Sequence, residues 1–163
     1  ARTQNLIGNT LLELADFGNS AILLNEAIHA FNTALGIYSP KNAPENYADT
    51  LNALGVAYQN LAEASPKNRE INLLNAIQSL KEALRIYTLR DYPSEYAMVQ
   101  NNLGSAYSLL AETQHRDQNL KLALKAFEEA ARIYTPKDYP DNARKVRMNI
   151  EKIRGRFRLQ VKS

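Results

Sequence analysis

The chain has 163 residues, 45% of them apolar and 23% charged, which is enough for a domain with a substantial core. It has no Cys, which excludes disulfides and thiolate metal sites. Its longest aliphatic run, residues 21–24, falls far short of the roughly 20 apolar residues of a membrane span. Net charge is +3 but unevenly placed: residues 141–163 carry eight Lys or Arg against Asp141 and Glu151, so the rest of the chain is mildly acidic. The polar start lacks the continuous apolar stretch of a secretory signal, and a cytoplasmic setting is expected.

Apolar residues recurring at helical spacing predict helices over about 3–16, 20–39, 45–64, 69–88, 94–114, 119–135 and 141–157. The first contains Gly8, and the second carries His29 on its outer face. The third follows Pro44, and Ser65, Pro66, Lys67 and Asn68 break it from the fourth. Pro93 and Pro140 open the fifth and seventh helices, where a missing amide hydrogen costs nothing. Glu45, Glu95 and Asp141 then sit near positive helix N-termini. His115 falls in the turn before the sixth helix. Residues 156–162 alternate apolar and polar as a short strand would, and residues 158–163 read as a tail or linker.

The chain matches itself. Shifted by 49, Pro44, Tyr47, Leu54, Gly55, Ala57 and Tyr58 fall on Pro93, Tyr96, Leu103, Gly104, Ala106 and Tyr107. Ala27, Ala34 and Tyr38 fall on Ala76, Ala83 and Tyr87, and a further shift of 47 reaches Ala123, Ala130 and Tyr134. Three helical hairpins follow, at about 1–42, 43–91 and 92–138, with a capping helix at 140–157, together a single domain over 1–157. Gly8, Gly55 and Gly104 lie inside helices, where glycine costs about 1 kcal/mol against alanine. Each precedes Ala27, Ala76 or Ala123 on the next helix, so a close Gly-to-Ala seam is expected. Glu151 stands where Gly104 stood, and no second helix is expected against it.

These residues resemble the tetratricopeptide repeat: Leu103-Gly104 with Tyr107, then Ala123 with Phe127, then Pro136; Ile7-Gly8, Ala27 with Phe31, and Pro40; Leu54-Gly55 with Tyr58 and Ala76 with Leu80. The usual Trp is replaced by Gln4, Leu51 and Gln100, and each copy exceeds the usual 34 residues by about 15. The longer unit is similar to extended repeats in large bacterial and archaeal signalling proteins. The resemblance implies an all-α fold, a right-handed superhelical array of antiparallel helix-turn-helix hairpins with about seven helices, an α-solenoid. It also implies a protein-interaction scaffold whose first helices line a concave face.

No set of residues assembles into an active site or phosphate cradle, and no enzyme activity, cofactor or metal is expected. His29 and His115 are not paired with each other or with carboxylates at metal-ligand spacing, and the tyrosines read as packing residues. At 100° per residue, the residues that project from the concave face are Asn5, Asn9 and Leu12 in copy one, Asp49, Asn52, Val56 and Gln59 in copy two, and Met98, Asn101, Ser105 and Ser108 in copy three. Asn5, Asn52 and Asn101 repeat at one position, though asparagine is a poor helix-interior residue. Their amides suit the backbone of a bound peptide, or a network between repeats. Arg2 is the only cation there, so the carboxylate clamp of some relatives is not expected. The expected partner is a protein or peptide. Self-association, or a spacer role in a larger signalling protein, is the alternative, prompted by the uncapped first helix. Nucleic acid ranks last, through Arg144, Lys145, Arg147, Lys152, Arg154, Arg156 and Arg158.

Overall fold

The computed structural model describes residues 1–18 and 21–158, with the side chains of residues 1–15 and 21–158. Among these the regular elements are all helical: α1 (Arg2–Gly18), α2 (Ala21–Leu35), α3 (Pro44–Ala64), α4 (Arg69–Ala83), α5 (Pro93–Leu110), α6 (Arg116–Ala131) and α7 (Pro140–Arg158), with a 3-10 turn at Pro66–Asn68. The fold is the all-α succession of helical hairpins expected from the repeat. It divides into two compact units, Ala1–Tyr87 and Thr88–Ser163.

In the first unit α1 packs on α2, α2 on α3 and α3 on α4. Its core joins Ala15 of α1, Leu24, Ala27, Ile28 and Phe31 of α2, and Leu54, Ala57 and Leu61 of α3. On α4, Leu73, Ala76 and Leu80 are fully buried. In the second unit α6 packs against both α5 and α7, burying Val99, Leu120, Phe127, Val146 and Ile153. Each large aliphatic side chain so buried contributes about 1.5–3 kcal/mol.

The second helices stop earlier than the apolar pattern predicts, at Leu35, Ala83 and Ala131 rather than near 39, 88 and 135. The backbone tightens there in the same way three times. Ile37 and Tyr38 bond to the Ala34 carbonyl, Ile86 and Tyr87 to that of Ala83, and Ile133 and Tyr134 to that of Ala130. The Ile-Tyr pairs extend the apolar run through this turn, so periodicity cannot see the helix end. Tyr87 and Tyr134 are buried beyond it. Tyr87 donates to Asp49 Oδ1 at 2.5 Å and to the Glu45 carbonyl at 3.2 Å, which ties α3 to the end of its own hairpin. The chain then turns through a hydroxyl-carboxylate pair, Thr88 with Asp91 and Thr135 with Asp138, each at 2.8 Å. Ser39 and Asn42 form the equivalent turn in copy one.

Two further boundaries move. Helix α5 ends at Leu110, not near 114, in a turn closed by amides of residues 112–114 on the carbonyls of Leu109 and Leu110. His115 follows with a left-handed φ of 44° and starts α6. Helix α7 runs through Arg158, so residues 156–158 are helical despite their alternation; the remainder of the expected tail lies outside the described residues. The glycine seam also differs in its partner. A Cβ on Gly8 would stand 2.5 Å from the Phe31 ring, on Gly55 2.7 Å from Leu80, and on Gly104 2.7 Å from the Phe127 ring. The glycines make room for the large residue one turn beyond the alanine; at Gly55 the expected alanine also comes close, the Ala76 carbonyl standing 3.3 Å from the Cβ position, and Ala27, Ala76 and Ala123 are themselves fully buried.

Candidate functional site

Helices α1 and α3 bring Arg2, Asn5, Asn9, Asp49 and Asn52 to one groove of about 460 Å³, with Leu6, Tyr38, Asn46 and Ala53 completing its wall. Five of these are residues expected on the concave face or beside it. Their polar groups are partly committed. Asn5 Nδ2 donates to Thr50 Oγ1, and the Thr50 hydroxyl donates to the Asn46 carbonyl at 2.6 Å. Asn9 Nδ2 donates to Asn5 Oδ1 at 3.0 Å. Thr50 is fully buried, so Asn5 fastens α1 to α3 as well as facing the groove. Asp49 is held by Tyr87.

Among the remaining expected contact residues, Val56, Asn101, Ser105 and Met98 are half-buried. Gln59 is 7% exposed and is withdrawn from solvent. Its α3 position turns further inward than the helical wheel places it. Leu12 packs against the α1–α3 core. In the second unit Asn149 Nδ2 donates to Asn101 Oδ1 at 3.4 Å, and the Ser105 hydroxyl donates to the Asn101 carbonyl. The inter-helix amide network of the sequence reading is therefore present at Asn5 and at Asn101.

The structure also joins two groups that the sequence kept apart. Arg156 donates to the Ser108 carbonyl at 3.1 Å and to its hydroxyl at 3.2 Å, with Glu112 at 3.7 Å. Arg154 pairs with Glu128 at 3.1 Å. Lys145, Lys152 and Arg158 are exposed, as are Arg144 and Arg147, which make no hydrogen bond or ion pair with the described residues. The basic patch is thus part structural brace and part open surface.

A second type of groove was not foreseen. In the α3–α4 hairpin about 380 Å³ opens beside Tyr47, Leu51, Leu54 and Tyr58, and in α5–α6 about 410 Å³ opens beside Tyr96, Gln100, Leu103 and Tyr107. At the mouth of the latter Tyr96 donates to Glu129 at 2.9 Å, and Arg132 reaches the same carboxylate at 2.8 Å. Burial and the bond to Glu129 raise the Tyr96 pKa. Burial alone would raise that of Glu129, but hydrogen bonds from Tyr96 and Arg132 outweigh it and hold the carboxyl below its ordinary range. Glu82 and Arg85 repeat the pair at 3.1 Å in the first unit, and burial and then the Glu82 charge raise Tyr47. The signal was legible: Glu82 and Arg85 recur as Glu129 and Arg132 under the shift of 47. No group of three or more His, Asp or Glu that could hold a metal forms among the described residues, and none of their helices is long and apolar enough to cross a membrane.

The family model of the soluble NSF attachment protein, SNAP, matches residues 44–155, which is more than two thirds of the chain and takes in copies two and three and most of α7. The chain belongs to the SNAP family. Neither the curated proteins nor the solved structures give a match. The tetratricopeptide comparison therefore stands at a coarser level, a tetratricopeptide-like helical repeat, and the family itself is SNAP. The SNAP match begins with the α3–α4 hairpin, so α1, which supplies Arg2, Asn5, Leu6 and Asn9 of the amide-lined groove, lies outside it, as does α2.

Proposed function

We propose that this SNAP-family chain is a non-catalytic, cytoplasmic protein-interaction scaffold that holds a peptide or helix of a partner on the amide-rich face of its first helices. The observation that carries the reading is the groove of about 460 Å³ walled by Arg2, Asn5, Asn9, Asp49 and Asn52. Asn9 is braced on Asn5 and Asn5 on Thr50, so these amides hold their geometry before a ligand arrives, which lowers the ordering cost of binding. The family description, an attachment protein for NSF, supports a bridging role between proteins. Asn9 and Asn52 changed together to Ala should abolish capture of a partner from lysate while the melting temperature holds. Asn5 is left intact in this test because its loss would strip buried Thr50 of a partner. Retained capture by the folded double variant would overturn the reading.

A second reading, self-association or a spacer role in a multidomain signalling protein of the extended-repeat type, is supported by the apolar stripe on α1. Leu6, Ile7 and Leu14 are 66%, 42% and 50% exposed. Under the shift of 47 Ile7 and Leu14 correspond to Leu54 and Leu61 of α3, which are buried in the core that α2 shares. Nucleic-acid binding through α7 has less support, because Arg154 and Arg156 are engaged within the chain.

A further inference from the structure

The groove of the α3–α4 hairpin lies on the opposite side of α3 from the amide-lined one. Tyr47, Leu51, Leu54 and Tyr58 follow one another at four, three and four residues, a single stripe about half a turn round the helix from Asp49 and Asn52. This stripe floors a volume of about 380 Å³, walled by Asn32 of α2 and by Asn75, Gln78, Ser79 and Glu82 of α4. Helices α2 and α4 both pack on α3 within the first unit, so both walls are built from described helices.

The same register in copy three is furnished differently. Under the shift of 49 the stripe becomes Tyr96, Gln100, Leu103 and Tyr107, and under the shift of 47 Asn75, Gln78 and Ser79 become Leu122, Lys125 and Ala126. There the Tyr96 hydroxyl is spent on Glu129 at 2.9 Å. In copy two neither Tyr47 nor Tyr58 makes a side-chain hydrogen bond with the described residues, and the same holds for the amides of Asn32, Asn75 and Gln78. The Ser79 hydroxyl is committed to the Asn75 carbonyl at 3.0 Å. Two phenols and three side-chain amides along one groove therefore keep their hydrogen-bonding capacity.

Length and chemistry select the occupant. Tyr47 and Tyr58 stand 11 positions apart, about 16 Å along a helix, which is the reach of about five residues of polyproline II. Between them Leu51 and Leu54 are only 7% and 4% exposed, so a docking helix would find little apolar area to bury. The accessible surface is tyrosine at the two ends and amides on both walls. Proline rings pack on tyrosine faces, and the carbonyls of polyproline II, which have no internal partners, accept from side-chain amides. A linear sugar would bring over the two leucines hydroxyls that they cannot bond. Glu82 is the one charged side chain on the wall, and its charge reaches Tyr47. Its ion pair with exposed Arg85 is of the surface kind that contributes little, which leaves the carboxylate able to take a second cation. We propose that this groove docks a proline-rich segment of a partner protein, about five residues in polyproline II with a Lys or Arg beside Glu82. The site does not depend on the amide-lined groove across α3.

The test uses the whole chain and a fluorescein-labelled peptide of about five prolines followed by an arginine, read by anisotropy at about 0.15 M salt. One control peptide has glycine at every second proline, which keeps the charge and loses the preformed helix, and another ends in glutamate. An unlabelled linear glucan serves as competitor. The proline peptide should bind saturably and each control at least about tenfold more weakly. Asn75→Ala with Gln78→Ala should weaken it by about tenfold or more, and Glu82→Gln should remove the preference for arginine over glutamate. Neither amide has a partner to lose and alanine favours a helix, so the double variant should keep its thermal melt; if it does not, Glu82→Gln decides. Asn9→Ala with Asn52→Ala, on the other side of α3, should leave binding unchanged. No saturation up to about 1 mM peptide, equal binding of the glycine peptide, or displacement by the glucan would each overturn the proposal. So would undiminished binding by the folded Asn75 and Gln78 variant, an arginine preference that survives Glu82→Gln, or binding lost on changing Asn9 and Asn52.

Discussion

Glycine shows how one missing atom sets the distance between two helices. Inside a helix it costs about 1 kcal/mol against alanine, and at Gly104 the offset is contact: the Phe127 ring, 2% exposed, stands where a Cβ would be, 2.7 Å away. Gly104→Leu should cost about 1 to 3 kcal/mol or more, because a buried ring has to leave its rotamer. Glu151 holds the same register on α7 but is exposed, so Glu151→Leu should move stability by no more than about 0.5 kcal/mol. Urea titrations of the two variants check this, and a severe loss from Glu151→Leu alone would misplace the seam. The seam residue was legible in the sequence as a repeated Gly, but its partner was not. Helical spacing aligns Gly with the Ala on the next helix, while the direction of side chains back along a helix puts the large residue one turn later over the gap.

At the scale of elements, the α5–α6 hairpin is fastened at one end by Tyr96, Glu129 and Arg132. The Glu129 carboxyl titrates below its ordinary value, so the unfolded chain takes up this proton first as pH falls. Its contribution to stability is present above the unfolded carboxylate pKa and is lost as pH drops through the lower folded value. Tyr96 is shifted the other way: raised, it contributes below the ordinary tyrosine range and loses that contribution as pH rises through its folded value. Thermal melts from neutral to acidic pH should therefore fall more steeply for the parent than for Glu129→Gln, whose bond to Tyr96 does not titrate. Parallel curves would remove the fastening role. Element number and order were readable from apolar spacing and from Pro44, Pro93 and Pro140. Second-helix ends were not, because the Ile-Tyr pairs continue the apolar run into a turn whose hydrogen bonds only the folded backbone reveals.

At the scale of the whole molecule the exposed stripe on α1 bears on assembly. Its Ile7 and Leu14 have the register at which α3 buries Leu54 and Leu61, Leu6 lies beside them, and Arg2 and Glu13 lie along one edge of that stripe, near its two ends. In an antiparallel pair of α1 helices each Arg2 would approach the Glu13 of the other copy, which makes the face self-complementary in charge as well as apolar. Light scattering should show mass rising with concentration, and Ile7→Glu with Leu14→Glu should hold the chain monomeric without lowering its melting temperature. A monomer at every concentration would set the self-association reading aside.

The sequence by itself determined the all-α class, the repeat and its registers and the helix starts at Pro44, Pro93 and Pro140, and it named candidate faces, since each depends on local spacing, proline geometry or glycine position. Only the tertiary structure decided which of those faces is occupied. Asn5 is spent on Thr50, Ser108 on Arg156 and Asp49 on Tyr87, pairings between residues 38 to 48 positions apart that no local pattern encodes. It also left Arg144 and Arg147 exposed and without a partner among the described residues. A charged residue on a helical wheel looks the same whether it braces its own fold or waits for a partner, and the difference lies in what the chain brings within reach of it.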